Sequence, residues 1–600
     1  MNEDEPELSP ISQAIWQAKY RYQTDATVGG TWQRVATALA SVEADPEAWE
    51  RRFYAALQSF RFLPGGRILA GAGTARHVTL LNCFVMGQID DSIDGIFDAL
   101  KEGALTMQQG GGVGYDFSTL RPRGTRARRV GGVASGPVSF MRIWDAMCAT
   151  ILSTGARRGA MMATLRCDHP DIEEFIDAKA TPGALRNFNS SVLVTDDFME
   201  AVRADAEWLL VFPTAEPSEG TVLRAWPGSP DPVACLIHRR LAARDLWSRI
   251  MRATYDHGDP GVLFIDRINR WNNLAYREQV IATNPCGEVP LPPYGACDLG
   301  SINLTQFVID PFGDHPRLDE AGIRETCETA TRMLDNVNDA TRFPLERQRK
   351  YALGARRIGL GITGLADALA MMGLRYASAD ARQVAKSAMA LICHTAYRTS
   401  ISLAKEKGSF PFFERDHYLD GTFIKTLPAD IRTGIAEHGI RNSHLTAIAP
   451  TGTISLFANN VSSGIEPIFG LRYRRRVLEN DAAPVEREVL DYAYALWLQS
   501  HGDRQADPQL FVRATDVTPE AQLDMQAVLQ DYVDSAISKT IHVSKGYPFE
   551  QFQRLYGLAY DRGLKGCTTF RPNPITGEVL ETNVPSAGGS HCCNIDREAD

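Results

Sequence analysis

The chain reads Asn284-Pro285-Cys286-Gly287-Glu288, with Cys297 shortly after and a further thiol far upstream in Leu81-Asn82-Cys83-Phe84. Thiols can be oxidised in one- or two-electron steps, a carboxylate moves protons, and a carboxamide holds hydroxyl groups. Three thiols, a carboxamide and a carboxylate together are suited to reductive chemistry on a hydroxyl-bearing ligand. Pro285 and Gly287 break regular structure and favour a tight loop tip that presents Cys286 to a ligand. In an extended loop residues 284, 286 and 288 project to the same side, so the three functional groups converge. A lone cysteine in a turn would read equally well as a small buried hydrophobe. Asn284 and Glu288, two positions to either side, weigh against that.

The elements that must position these groups alternate. β-rich runs recur at Ser191-Val192-Leu193-Val194-Thr195 and at residues 208–212, 262–265 and 445–449. Between them lie long helical patterns, notably residues 359–372 and 384–407, the latter closed by Gly408 with lysines in its last turn. Such alternation implies a largely parallel α/β sheet or barrel. Residues 92–109 predict a helix with Ile93, Ile96, Phe97, Leu100 and Ala104 on one face, capped by Asp91 or Ser92 and stopped by Gly110. Residues 1–60 read as a helical lead-in carrying Ile15, Trp16, Tyr20 and Tyr22, residues 61–570 as the catalytic unit, and residues 571–600 as a flexible tail. The tail is rich in Pro, Gly and Ser and carries His591-Cys592-Cys593. From Phe570 to Cys592 it can extend at most about 75 Å, at roughly 3.3 to 3.6 Å per residue, enough to reach back into a site.

With 600 residues, 44% hydrophobic and 23% charged, the chain has the composition of a soluble globular protein. A net charge of −10 argues against a broad nucleic-acid-binding face. The eleven cysteines are scattered without Cys-x-x-Cys, which excludes a secreted disulfide framework or a zinc ribbon and fits a reducing cytoplasm. Met1-Asn2-Glu3-Asp4-Glu5 is acidic where a signal peptide is basic, and the longest apolar stretch, residues 358–374, is broken by glycines and Asp367. Neither export nor a membrane span is expected. No His/Cys/Asp cluster has metal-ligand spacing, so no protein-bound metal is expected. The run Gly110-Gly111-Gly112-Val113-Gly114 fails the G-x-G-x-x-G register because Tyr115 takes the third glycine's position, which rejects a Rossmann dinucleotide site.

Over most of its length the chain resembles ribonucleotide reductases, specifically the class II, adenosylcobalamin-dependent type. Besides Asn-Pro-Cys-Gly-Glu, the resemblance rests on Gln109 to Gly114 running to Leu120-Arg121-Pro122, on Arg157-Arg158-Gly159-Ala160-Met161-Met162, on Phe188-Asn189-Ser190-Ser191-Val192 and on Arg357-Ile358-Gly359-Leu360-Gly361. It extends to Ala449-Pro450-Thr451-Gly452-Thr453-Ile454-Ser455 with Gly464-Ile465-Glu466-Pro467. The resemblance implies a ten-stranded α/β barrel of two half-sheets, with a central finger loop bearing the radical cysteine. It also implies that Cys286 is the transient thiyl radical, Glu288 the base for the 3'-hydroxyl, Asn284 a hydrogen-bonding partner of the sugar, and Cys83 with Cys297 the reducing pair that ends as a disulfide.

Further roles follow from the same resemblance. Asn82 and the loop Pro450, Thr451, Gly452, Thr453, Ile454, Ser455 would bind a ribonucleoside diphosphate, the loop cradling phosphate at a helix start. Asp91 and Arg121 would meet a deoxynucleotide or ATP effector at the interface of a homodimer, although Asp91 also reads as a helix cap and Arg121 as a solvated charge. Residues 155–163 resemble a second specificity loop. Cys592 and Cys593 would shuttle electrons from thioredoxin or glutaredoxin; adjacent in sequence, they would form a strained internal bridge, because Cα atoms about 3.8 Å apart lie below the usual range of roughly 4.4 to 6.8 Å. A class I large subunit relays its radical through two adjacent tyrosines, where this chain has Thr568-Thr569, and class III enzymes carry a glycyl radical in an Arg-x-x-Gly-Tyr setting that is absent here. Cobalamin is what remains, by class and not by ligands. An N-terminal ATP-cone is not expected, since helices leading into the barrel begin almost at once. Residues 63–69 have Gly, Arg and Ile where relatives place Ser and Thr. The competing readings are a class I large subunit needing a separate radical subunit, and a silent nucleotide-binding paralogue.

Overall fold

A computed structural model of the chain describes residues 6–23, 25–125, 132–153, 157–229, 231–477, 485–502 and 510–572. Ten strands make its main sheet: β1 (Phe62–Pro64), β2 (Cys83–Val85), β3 (Gly112–Asp116), β4 (Met161–Arg166), β5 (Phe188–Val194), β6 (Gly261–Phe264), β7 (Ala296–Asn303), β8 (Ile358–Thr363), β9 (Thr540–His542) and β10 (Gly566–Phe570). Strands β2 to β6 run parallel in chain order. Their side chains are buried on both faces, as a parallel sheet covered by helices requires.

A second parallel set starts at β7 and β8, passes by single bridges from Leu360 to Thr446 and from Ile448 to Ile537, and reaches β9 and β10. The two halves meet antiparallel, β2 against β7 and β6 against β10, so the pairings close a ring. Residues 445–449, expected as a strand, hold their place by isolated bridges only. The expected helix over residues 359–372 is corrected: it divides at Gly364 (φ +71°) into β8 and a helix, Leu365–Met371. A Cβ at Gly361 would stand 2.2 Å from the Ala447 carbonyl oxygen, so these glycines are what let the next stave lie close. Apolar periodicity alone cannot separate such a buried strand from a buried helix.

Helices Pro10–Ile15, Val28–Ala40 and Pro46–Leu57 precede β1, capped by the side chains of Ser9, Thr27 and Asp45. They pack through Ile15, Trp16, Trp32, Val35 and Leu39. One ion network fastens them to the barrel's long helices Glu320–Ala340 and Ala379–Lys407. Arg332 donates to both oxygens of Glu43 at 2.7 and 2.6 Å, and Lys407 and Asn336 each donate at 2.8 Å.

Helix Ile93–Gln108 is capped by Ser92, whose hydroxyl accepts from the Gly95 amide at 3.0 Å. Its buried face is Ile96, Ala99, Gly103, Thr106 and Met107, whereas Ile93 and Phe97, expected inward, are 61% and 49% exposed. The small residues win the inner face because the Tyr115 hydroxyl occupies the space where a Gly103 Cβ would project. Among the described residues no helix is long and apolar enough to cross a membrane, and no group of three His, Cys, Asp or Glu could hold a metal ion.

Candidate active site

Between β6 and β7 a two-residue ladder, Ala282–Thr283 against Pro290–Leu291, forms a hairpin that enters the ring beside β3 and β4. Its entry explains the glycine-rich run of β3. A Cβ at Gly114 would stand 1.9 Å from the Thr283 carbonyl oxygen, and one at Gly112 would meet the Pro285 ring at 3.2 Å. Asn284 to Glu288 form the tip. Gly287 turns at φ +86°, its amide donates to the Asn284 carbonyl at 3.1 Å, and the Asn284 side-chain oxygen accepts from the Val289 amide at 3.0 Å. From β5, Asn189 donates to the Pro285 carbonyl at 2.8 Å, a tie that Phe188-Asn189-Ser190-Ser191-Val192 signals only as a motif without a role.

The three thiols meet here. Cys83 opens β2 and lies directly opposite Cys297 in the antiparallel β2/β7 pair. Residues so opposed have Cα atoms about 4.5 to 5.5 Å apart, inside the range a disulfide spans. Both are buried, Cys286 at the tip is half-buried, and no cysteine among the described residues is in a disulfide. The Asn284 amide donates to the Cys83 sulfur at 3.2 Å, and the Cys297 thiol donates to the Asp298 carbonyl at 3.2 Å. Burial pushes the Cys83 thiol well up, and the charges of Glu288, Cys297 and Cys286 add to it. Burial likewise raises Cys297, with Asp298 adding and Arg357 opposing. Both therefore stand as S–H groups at neutral pH, the form that gives up a hydrogen atom.

Glu288 is buried, its backbone carbonyl accepts from the Ala536 amide at 2.9 Å, and its Oε2 has no protein partner. Burial pushes its carboxyl up to about 7, so near neutrality it can accept a proton. Asn82 lies next to Cys83. Its carbonyl accepts from the Gly112 amide at 2.8 Å, and its side-chain oxygen sits 2.7 Å from where a Gly65 Cβ would be.

Ala447 and Ala449 pack with Cys83 and Cys297 in one apolar cluster, which brings Pro450 to Ser455 to the same interior. Helix Gly452–Phe457 starts there from Thr451 at φ +51°. Thr451 is engaged within the protein, bonded to Thr363 at 2.9 Å and accepting from the Gly464 amide at 2.8 Å. Ser455 bonds Gly452 and Ser463. Thr453 is buried with its hydroxyl unpartnered, and it and the first amides of the helix are the groups there that a ligand can meet. On the barrel wall, Ser191 and Thr568 hydroxyls lie 3.2 and 3.3 Å from where a Gly261 Cβ would be. Ser191 follows Asn189 by two along β5 and so faces the same interior.

Asp91 and Arg121 are brought together at the start of helix Ile93–Gln108. Arg121 Nε donates to Asp91 at 2.7 Å and its backbone amide to the other oxygen at 3.2 Å, both side chains partly exposed. Cys592 and Cys593 lie outside the described residues, as does part of the loop over residues 155–163. The cross-strand register of Cys83 and Cys297 and the buried Glu278–Arg357 pair carry no local sequence signal.

Residues 81–570 match the family model for the ribonucleotide reductase barrel domain, and residues 6–77 that for the ribonucleotide reductase all-alpha domain. The chain is 35% identical over 610 aligned residues to a vitamin B12-dependent ribonucleoside-diphosphate reductase of Mycobacterium tuberculosis, covering 97% of this chain and 82% of the relative. A protein of the same name from Thermoplasma acidophilum is 36% identical, covering 96% and 72%. A ribonucleoside-diphosphate reductase subunit alpha of Chlamydia muridarum is 26% identical, covering 91% and 56%.

Proposed function

The chain belongs to the ribonucleotide reductase family, and from that premise we propose that it reduces ribonucleoside diphosphates to 2'-deoxyribonucleotides, with adenosylcobalamin as radical source. The observation that carries this reading is the meeting of Cys83, Cys297, Asn284 and Glu288, whose Oε2 has no protein partner, around the tip that bears Cys286. When bound, adenosylcobalamin supplies the one-electron chemistry that removes the hydrogen atom from the Cys286 thiol; Ser191, Gly261 and Thr568 are the wall against which it would be held.

Cys286 then takes the 3'-hydrogen of the ribose, and Glu288 takes the 3'-hydroxyl proton. One thiol of the reducing pair protonates the 2'-hydroxyl, which leaves as water. The pair delivers the replacing hydrogen to C2' and passes one electron to the 3'-carbonyl as it closes to the Cys83–Cys297 disulfide; Glu288 returns its proton to the 3'-oxygen, and Cys286 returns its hydrogen to C3'. Asn284 holds the sugar hydroxyls and keeps Cys83 oriented. Asn82 and the loop from Pro450 to Ser455 bind the substrate, with the Thr453 hydroxyl the loop's available side-chain group.

Asp91 and Arg121 bind a deoxynucleotide or ATP effector, exchanging their mutual ion pair for its ribose and phosphates. The exposed Ile93, Phe97 and Leu105 beside them suit a second copy of the chain, consistent with a homodimer. Cys592 and Cys593 relay electrons from thioredoxin or glutaredoxin, and the enzyme works in the cytoplasm. The test is anaerobic reduction of the four ribonucleoside diphosphates by the purified chain with dithiothreitol and a deoxynucleotide effector. Deoxynucleotide is expected with adenosylcobalamin and none without it; turnover independent of the cofactor would refute the assignment.

A further inference from the structure

The hairpin has feet as well as a tip, and a cleft of about 610 Å3 opens between them. Tyr276 and Arg277 line it from the segment that leads into the hairpin, and Tyr294 from the segment that leaves it. Helix Glu346–Ala355 supplies Arg347, Lys350 and Tyr351, and Phe412 closes the opposite side. Two kinds of surface meet here. The rings of Tyr351 and Phe412 stand edge to face at 5.5 Å, with the Arg277 guanidinium 3.9 Å from the Phe412 centroid. Around them are three cations, set against Glu414. Arg277 and Lys350 form no salt bridge among the described residues, and Arg347 reaches only the distant edge of Glu102 at 3.9 Å. Half-buried aromatic rings accept a flat heterocycle against their open side, and convergent guanidinium and ammonium groups accept phosphate oxygens.

We infer that this cleft is a nucleotide site, distinct from the substrate loop and from the Asp91–Arg121 pair, with the base packed in the angle between Tyr351 and Phe412 and the phosphates held by Arg277, Arg347 and Lys350. An occupant would grip both feet of the hairpin whose tip carries Cys286. It would also press on a buried connection. The Tyr351 hydroxyl bonds Glu278, Glu278 pairs with Arg357, and Arg357 keeps two buried nitrogens without a partner while its charge acts on Cys297. On the other foot the Tyr294 hydroxyl accepts from Arg347 at 2.7 Å and donates to Glu102 of helix Ile93–Gln108 at 3.0 Å. The binding claim stands whether or not Cys286 carries the chemistry, because its test reads no turnover.

Lys350 itself is the reporter. The full-length protein is treated with an amine-acetylating reagent, and modification of Lys350 is followed by mass spectrometry with ATP, with pyrophosphate and with adenosine, Lys405 serving as an exposed control. ATP is expected to protect Lys350 and not Lys405, and to do so at concentrations at least about tenfold below those at which pyrophosphate or adenosine acts. Arg277→Glu, at an exposed position whose guanidinium forms no salt bridge among the described residues and gives up its contact with the Phe412 ring, is expected to abolish that protection with only a small change in melting temperature. Asp91→Asn is expected to leave it intact. Equal acetylation with and without ATP, equal protection by pyrophosphate, undiminished protection in Arg277→Glu, or loss of protection in Asp91→Asn would each overturn the site.

Discussion

Glu43 and Glu288 are both glutamates taken out of water, and they end on opposite sides of the ordinary carboxyl value. Burial alone would raise either one. At Glu43 the two-pronged Arg332, with Lys407 and Asn336, more than offsets burial and holds the carboxyl at about 2, so it stays ionised and knits the helical lead-in to the barrel. At Glu288 no salt bridge forms among the described residues, burial wins, and the carboxyl rises to about 7 with one oxygen left without a protein partner. A carboxylate with every acceptor site filled has nothing to offer a ligand. One held neutral-to-ionised near pH 7, beside three thiols, is arranged for proton transfer.

The comparison can be broken by substitution. The largest effect is expected from Cys286→Ser, which should lower nucleotide reduction below detection while leaving the melting temperature and effector binding unchanged. Residual turnover at the wild-type rate would remove the thiol from the chemistry. Glu288→Gln keeps shape and removes the base, so the rate should fall by about 10²- to 10⁴-fold with stability unchanged or increased. A variant that is unstable instead would make Glu288 a second Glu43. Conversely, Glu43→Gln leaves Arg332 and Lys407 facing a neutral group and should cost about 3 to 5 kcal/mol of stability by denaturant titration, with the active site's chemistry per folded molecule retained.

The same pair predicts opposite pH behaviour. For Glu43 the folded value lies below the unfolded one of 4.5, so its contribution is fully present above pH 4.5 and is lost as pH falls toward about 2. For Glu288 the folded value lies above the unfolded one, so stability declines as pH rises from 4.5 to about 7, while the proton-accepting form grows over that range. Reduction should therefore rise with pH through about 7, and that limb should vanish in Glu288→Gln. The smallest effect is expected from Asn189→Ala, which removes one hydrogen bond to the finger tip. A net worth of about 0.5 to 1.5 kcal/mol corresponds to a loss of no more than about tenfold, in kcat and not in KM.

How much of this was legible beforehand follows the same division. Asn284, Cys286 and Glu288 could be read because they share one short tip whose turn residues, Pro285 and Gly287, are themselves a signal. Helix Ile93–Gln108 was legible in extent and not in orientation, because which stripe faces inward depends on the Tyr115 hydroxyl lying against Gly103. The strand β8 reads as helix in the sequence because an apolar glycine-rich run has no period of its own; only its partner at Ala447 explains it. Glu43 was invisible, since Arg332 lies 289 residues away and nothing local marks either as one of a pair. The opposition of Cys83 and Cys297 depended in the same way on a strand register that only the folded ring defines.

That opposition allows the most direct test. In a Cys592→Ser, Cys593→Ser background, pre-reduced protein is given adenosylcobalamin, substrate and effector for a single turnover without external reductant, then acid-quenched, alkylated and mapped. A Cys83–Cys297 disulfide should accumulate in step with deoxynucleotide and be absent when Cys286 is also replaced by Ser. Deoxynucleotide formed while Cys83 and Cys297 remain alkylatable, or a disulfide between any other pair, would contradict the account.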